Sequence, residues 1–281
     1  MTVRKNQATL SAEEKRAFTN ALIELKRTGA YDRFVTTHNG FIMSDTDSGD
    51  RVGHRSPSFL PWHRRFLLEF EAALQTVDAK VTIPYWDWSA DRTTRSSLWA
   101  ADFLGGTGRA RDGQVTDGPF AFAMGKWDIN VRVDGRNYLR RALGAGVAEL
   151  PTKAEVDAVL SMPVYDMAPW NSSSNGFRNN LEGWRGANLH NRVHVWVGGQ
   201  MSTGVSPNDP VFWMHHAFVD KLWADWQARN PRSTYLPAAG TSNVVDLHDT
   251  MRPWNNVTPA DMLDHRKFYT FDTEPAAASQ R

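Results

Sequence analysis

NDPVFWMHHAFVDKLWADWQ, residues 208–227, reads as a helix whose aromatic side must be buried although it carries two adjacent histidines. Asp209 suits the N-cap and Pro210 the first turn, and Phe212, Trp213, Phe218, Leu222, Trp223 and Trp226 supply the apolar face. His216 rides on this helix, so a polar ring is sent into an apolar interior. Working outward, three further segments repeat that combination. Residues 182–197 (EGWRGANLHNRVHVWV) predict a helix bearing His190 and His194, which stand 194 − 190 = 4 positions apart and so share one face. From Pro61 onward Trp62, Phe66, Leu67, Phe70 and Leu74 form one apolar helix face, and His63 lies on that helix. A shorter helix over 30–43 carries His38, and the polar, Gly-containing stretch 44–53 leaves His54 beside a loop.

Four main helices around a polar centre are the economical arrangement, because metal sites in bundles are built from inward residues on facing helices. The expected fold is mainly α: a four-helix bundle with long loops and little sheet. A capping box, Ser11 with Glu14, opens another helix over 11–27, and a brief capped one covers 152–160. Residues 89–136, rich in Gly, Asp, Arg and Thr, read as a long ordered surface excursion, with room for short strands. The whole chain, 1–281, is expected to be one domain, with about 273–281 a frayed tail.

Composition narrows the chemistry. Nothing approaches the roughly 18 apolar residues of a membrane span, and a net charge of +1 gives no basic face for nucleic acid or an anionic membrane. With no cysteine, disulfides, thiolate sites and iron-sulfur clusters are excluded, and imidazole and carboxylate are left as the strong ligands. The partner is expected to be a small molecule. The first 18 residues lack the apolar run of a secretory signal, so no export address of the chain's own is expected.

Six of the nine histidines fall into two trios, His38/His54/His63 and His190/His194/His216, each suited to copper, zinc or iron. Asp220, 220 − 216 = 4 positions beyond His216, is placed to accept that ring's free N–H. Asn191 follows His190 where an H-E-x-x-H zinc protease needs glutamate, which argues against that enzyme class. The first trio has irregular gaps, 54 − 38 = 16 and 63 − 54 = 9, and draws its weight from the second. His215 is assigned to the pocket wall or its backing, with plain packing as the alternative. His248 and His265 read as surface or structural residues. Trp213, Trp223 and Trp226 are assigned to core. Arg55, Arg64 and Arg65 read as solvated or paired charges, with Arg55 alone close enough to a ligand to touch substrate.

HRSPSFLPWHRRFLLEFE (residues 54–71) and NDPVFWMHHAFVDKLWADWQ resemble the two copper signatures of the tyrosinase, catechol oxidase and hemocyanin superfamily, and the chain is similar to its short cysteine-free actinobacterial tyrosinases from about residue 1 to 272. The resemblance implies a dinuclear, type 3 copper centre inside the bundle, with His38, His54 and His63 on one copper and His190, His194 and His216 on the other. It also implies O2 as co-substrate, Glu182 and Asn191 as holders of a water that takes a phenol proton, and Ile42 and Val195 at the pocket mouth. A Cys–His thioether, common in plant and fungal members, cannot form, so His54 must be fixed by packing against Phe59 or by hydrogen bonds. The activity implied is ortho-hydroxylation of monophenols such as tyrosine and oxidation of o-diphenols to o-quinones, leading to melanin. The rivals are a catechol or o-aminophenol oxidase of secondary metabolism, an oxygen carrier of hemocyanin type, and a dinuclear zinc or iron hydrolase. Relatives of this kind rely on a small caddie protein that delivers copper and carries the export signal, so secretion beside such a partner is expected, with a cytoplasmic location the alternative.

Overall fold

In chain order the computed structural model contains β1 (Thr2–Arg4), α1 (Ala12–Arg27), α2 (Ala30–Ser44), α3 (Phe59–Gln75), α4 (Lys153–Leu160), α5 (Phe177–Glu182), α6 (Leu189–Val197), α7 (Val211–Arg229) and β2 (Tyr269–Phe271), with several short 3-10 turns between them. Residues 2–235 and 237–274 are described. The helical character expected from the sequence is observed, and the sheet is a single parallel pair, β1 with β2, that joins the two ends of the described chain.

α7 is the axis of the molecule. Every residue from Val211 to Asp220 is buried, so the helix is covered on all sides rather than on one face. It packs against α3, which also meets α1. The Phe70 and Trp213 rings stack at 3.4 Å with planes 2° apart, locking α3 onto α7 near the level of the histidines. Local sequence fixes the outer helices: Ser11 Oγ accepts from the Glu14 backbone N–H at 3.1 Å while Glu14 Oε2 accepts from Ser11 N–H at 2.8 Å, and Thr152 with Glu155 repeats the motif.

Several expectations are corrected. The helix expected within residues 182–197 is α6: Gly183, at φ +106°, ends α5 directly after Glu182, and Asn188 restarts the chain in a left-handed conformation before it. Pro210, rather than Asp209, occupies the cap position of α7, and Asp209 divides its carboxylate between the Val211 N–H and a bidentate pair with buried Arg141. The 89–136 segment contains no named strand among the described residues, and it is more than a surface excursion. It buries Leu98, Trp99, Phe103, Leu104, Val115, Phe120, Trp127 and Ile129, and Arg141 holds its irregular backbone by donating to the carbonyls of Leu104 and Gly105. Of the expected tail, Glu274 is anchored to His265 Nε2 at 2.6 Å, and residues 275–281 lie outside the described ones.

Arg64 is the paired charge, not the solvated one, of the two expected alternatives. It is fully buried, pairs through Nε with Asp220 Oδ1 at 2.6 Å, and lies over the Trp223 ring. Asp220 Oδ2 accepts from Arg4 at 3.2 Å and from the Tyr269 hydroxyl, and Arg4 also pairs with Glu71 at 3.0 Å. Two guanidinium and two carboxylate charges therefore cancel in the interior, tying β1, α3, α7 and β2 together at the level of His63 and His216.

Candidate metal centre

Each trio is assembled by elements far apart in sequence. α2 brings His38, the 52–54 loop His54 and α3 His63, and the three offer ligand atoms within 4.8 Å of one another. α6 brings His190 and His194 and α7 brings His216, again within 4.8 Å, with His215 inside the same radius. The trios adjoin: His63 and His216 stack at 4.4 Å with planes 12° apart, and the Phe59 ring lies 4.7 Å from His63 and 5.1 Å from His190.

Main-chain carbonyls set the tautomers. Nδ1 of His38 faces the Gly204 oxygen at 3.0 Å, Nδ1 of His63 that of Phe59 at 2.9 Å, Nδ1 of His190 that of Glu182 at 2.9 Å, and Nδ1 of His194 that of Met201 at 2.7 Å. A carbonyl oxygen only accepts, so Nδ1 carries the hydrogen and Nε2 is left with its lone pair. His190 Nδ1 has a second acceptor, Asn191 Oδ1, at 2.9 Å, which turns the Asn191 amide NH2 away from that ring.

The consequence is a set of lone pairs facing one another. Nε2 of His194 and Nε2 of His190 approach to 3.0 Å although neither has a hydrogen to give; His190 and His216 Nε2 meet at 3.2 Å, and so do His54 and His38. Acceptors pressed together in a buried site are stable only around a shared cation, and nitrogens at this separation suit an ion about 2 Å from each. His63 Nε2 is likewise buried without a hydrogen-bond partner among the described residues. Burial, followed by the mutual repulsion of the rings, pushes His38, His63, His190 and His216 well below the ordinary imidazole range. Burial also brings His194 down to about 4. These five rings are neutral at neutral pH, as ligation requires.

The sequence placed some supports wrongly. Asp220 does not orient His216: its carboxylate is taken up by Arg64, Arg4 and Tyr269, and His216 Nδ1 has no hydrogen-bond partner among the described residues. Of the two means expected to fix His54, hydrogen bonds prevail over packing on Phe59, whose ring centroid is 6.4 Å away. Asp45 makes them, accepting from the N–H groups of Val52, Gly53 and His54 at 2.8–3.1 Å and lying 3.5 Å from His54 Nδ1. His215 is not part of the pocket wall. It is fully buried, stacks on His190 at 4.9 Å and 16°, and accepts the Trp88 Nε1–H at 3.0 Å on Nδ1. That bond leaves its hydrogen on Nε2, so His215 offers the cluster an N–H and no lone pair. Neither Asp45 nor Trp88 had a signal in the sequence, since their roles arise from contacts between separate segments.

A cleft of about 520 Å³ opens over the two trios, lined by His38, His54, His190 and His194 together with Ile42, Arg55, Glu182, Trp184, Asn191, Val195 and the 201–204 loop. Ile42, Arg55 and Val195 are thus among the lining residues. Glu182 is buried in its wall. Oε1 accepts from Arg55 N–H at 2.6 Å and Trp184 Nε1–H at 2.9 Å, and Oε2 accepts from Arg178 at 2.8 Å. A carboxylate has about four lone-pair positions, so the free capacity lies on Oε2.

Comparison with known proteins agrees with this geometry. Residues 28–229 match the family model described as the common central domain of tyrosinase. The chain is 77% identical to a tyrosinase of Streptomyces antibioticus, over 97% of this chain and 100% of that protein. It is 46% identical to a grixazone synthase of Streptomyces griseus, over 96% and 99% respectively. A functional unit of octopus hemocyanin superposes with a TM-score of 0.64 at 20% identity, covering 97% of this chain and 68% of that one, which is a likeness of fold.

Proposed function

This chain belongs to the tyrosinase family, and on that premise we propose that it hydroxylates monophenols such as tyrosine at the ortho position and oxidises o-diphenols such as DOPA to o-quinones. The observation that carries the reading is the convergence of six imidazoles in two adjoining trios beneath one cleft, with the Nε2 lone pairs of His190 and His194 turned toward each other. The cofactor is a pair of copper ions, one held by His38, His54 and His63 and the other by His190, His194 and His216. When bound, the pair supplies the electrons that reduce dioxygen, one from each ion.

The protein's own work is placement and proton handling. Carbonyl bonds at Nδ1 hold four of the rings in the ligating tautomer, and Phe59 and the His63–His216 stack keep the two trios at fixed spacing. A phenol, with a pKa near 10, must lose its proton before its oxygen becomes a good ligand. Glu182, through the free capacity of Oε2, and the Asn191 amide hold the water that receives this proton. Arg178, itself buried between Asp166 and Glu182, keeps that carboxylate in place. Catechols chelate more readily, so the arrangement matters most for hydroxylation.

The identity to a grixazone synthase favours a second reading, an o-aminophenol or catechol oxidase with little action on monophenols. Initial rates of the copper-loaded protein on tyrosine, DOPA and 3-amino-4-hydroxybenzoate separate the two. Hydroxylation of tyrosine, slowed at least tenfold more than DOPA oxidation by Glu182→Gln, is the expected result. No hydroxylation of any monophenol, with two coppers per chain, removes the monooxygenase reading.

We further propose melanin formation as the fate of the quinone, and secretion beside a small copper-delivering caddie partner. The exposed Met43, Trp184 and Val195 side chains around the cleft support a protein docking there. Full copper loading and export of the chain expressed by itself would count against that partner.

A further inference from the structure

Apart from the imidazoles assigned to the metal centre, the cleft lining holds two ionisable side chains, Arg55 and Glu182. Glu182 is buried and faces three protein donors, and what capacity remains on Oε2 is assigned above to the water that takes the phenol proton. Arg55 is different. It follows the ligand His54, and its backbone sits in the left-handed region at φ +53°, a conformation that an arginine keeps only when its surroundings impose it. The constraint is the 2.6 Å bond from its N–H to Glu182 Oε1, which fixes where the side chain leaves the backbone. The guanidinium then lies over the Trp184 ring at 4.3 Å and reaches Asp47 Oδ2 through Nη1 at 3.3 Å.

That ion pair is long and open. The side chains of Arg55 and Asp47 are 31% and 40% exposed, and Arg55, which lines the cleft, links it to Asp47 just outside. Asp47 is steadied from behind, with Oδ1 accepting from Ser172 N–H at 3.0 Å and Oδ2 from Ser172 Oγ at 2.7 Å. Burial opposes its ionisation, but the Ser172 bonds and Arg55 outweigh it and hold its carboxyl below the ordinary value. The rim therefore presents one fixed positive and one fixed negative group side by side, each with unused hydrogen-bonding capacity. A para substituent on a phenol held between the trios would have to leave through this cleft, whose lining includes Arg55.

We propose that Arg55 and Asp47 together read the head group of the substrate, Arg55 taking a carboxylate and Asp47 an ammonium, so that the enzyme selects phenols bearing an α-amino acid side chain over neutral or singly charged ones. The inference rests on the phenol-oxidising reading above and assigns its substrate specificity to two residues outside the metal centre. Trp184 serves as the platform that keeps the guanidinium flat and aimed across the mouth.

The test uses copper-loaded protein at low ionic strength and four diphenols: catechol, 3-(3,4-dihydroxyphenyl)propanoate, dopamine and DOPA. Each kcat/KM is divided by that of catechol on the same preparation, which removes differences in loading or folding between variants. Arg55→Gln is expected to lower the propanoate ratio by about threefold to tenfold and to raise the dopamine ratio, as befits a partly exposed ion pair. Asp47→Asn is expected to lower the dopamine ratio by a similar factor, and both to lower that of DOPA. Arg55→Lys, which keeps the charge, should recover at least half of the propanoate preference, and 0.5 M salt should erode it in the parent. Ratios within twofold of the parent in both variants would overturn the proposal while leaving the phenol oxidase standing. Failure of the parent to oxidise catechol at all would instead overturn the reading beneath it.

Discussion

Asp220→Asn separates two roles for one carboxylate. The side chain is 3% exposed, and it is the common partner of Arg64 and Arg4, both fully buried. In the parent, Arg4, Arg64, Glu71 and Asp220 sum to zero charge; the substitution keeps the shape and leaves a net positive charge in the interior. Breaking a buried pair from one side costs about 3–5 kcal/mol, because the remaining charge has lost both water and partner. For a chain of this size that corresponds to a fall in Tm of about 5–9 °C. The assay is urea unfolding of the metal-free protein, with Asp157→Asn as the comparison, since Asp157 is 43% exposed and pairs only at the surface, where less than about 0.5 kcal/mol is at stake. Copper bound per chain, measured without denaturant, should remain two. Had Asp220 oriented His216, the loss would appear as a roughly 10–100-fold weaker second copper site with ordinary apoprotein stability. A variant within about 1 kcal/mol of the parent that binds a single copper would refute the reasoning from charge cancellation.

Acid should unfold the metal-free protein early. His38, His63, His190 and His216 have folded pKa values well below the unfolded imidazole value near 6.5, and His194 is pushed down to about 4. The unfolded chain therefore binds more protons in this range, so the stability is fully present above about pH 6.5 and is lost as pH falls toward 4. A urea midpoint that declines steadily from pH 6.5 to 4.5 is expected, and a flat profile across that window contradicts burial as the cause. Gly199→Ala tests the loop behind α6: at φ +56° an added Cβ would stand 1.8 Å from the Arg140 carbonyl oxygen, so the backbone must move. A loss of about 3 kcal/mol is expected from overpacking and left-handed strain, and it should weaken metal binding through Met201, two residues along the loop, whose carbonyl oxygen holds His194 Nδ1. An unchanged melting temperature would show that the loop yields freely.

The sequence determined by itself whatever depends on neighbours along the chain. The capping boxes at Ser11 and Thr152 and the helix periods around Phe66 and Trp213 follow from spacing, and so does the common face of His190 and His194, because a helix repeats every 3.6 residues wherever it is placed. The absence of cysteine, with two histidine trios, confined the centre to imidazole. Tertiary structure decided which partner each polar group meets. Asp220 lies one helical turn beyond His216, yet its carboxylate goes to Arg64 and Arg4, which come from other elements and carry the opposite charge. His54 is steadied by Asp45, and His215 is kept from ligating by Trp88, across gaps that no period encodes. The tautomers that make the lone pairs available depend on the carbonyls of Gly204, Phe59, Glu182 and Met201. Every residue carries such a group, so only the path of the folded backbone selects these four.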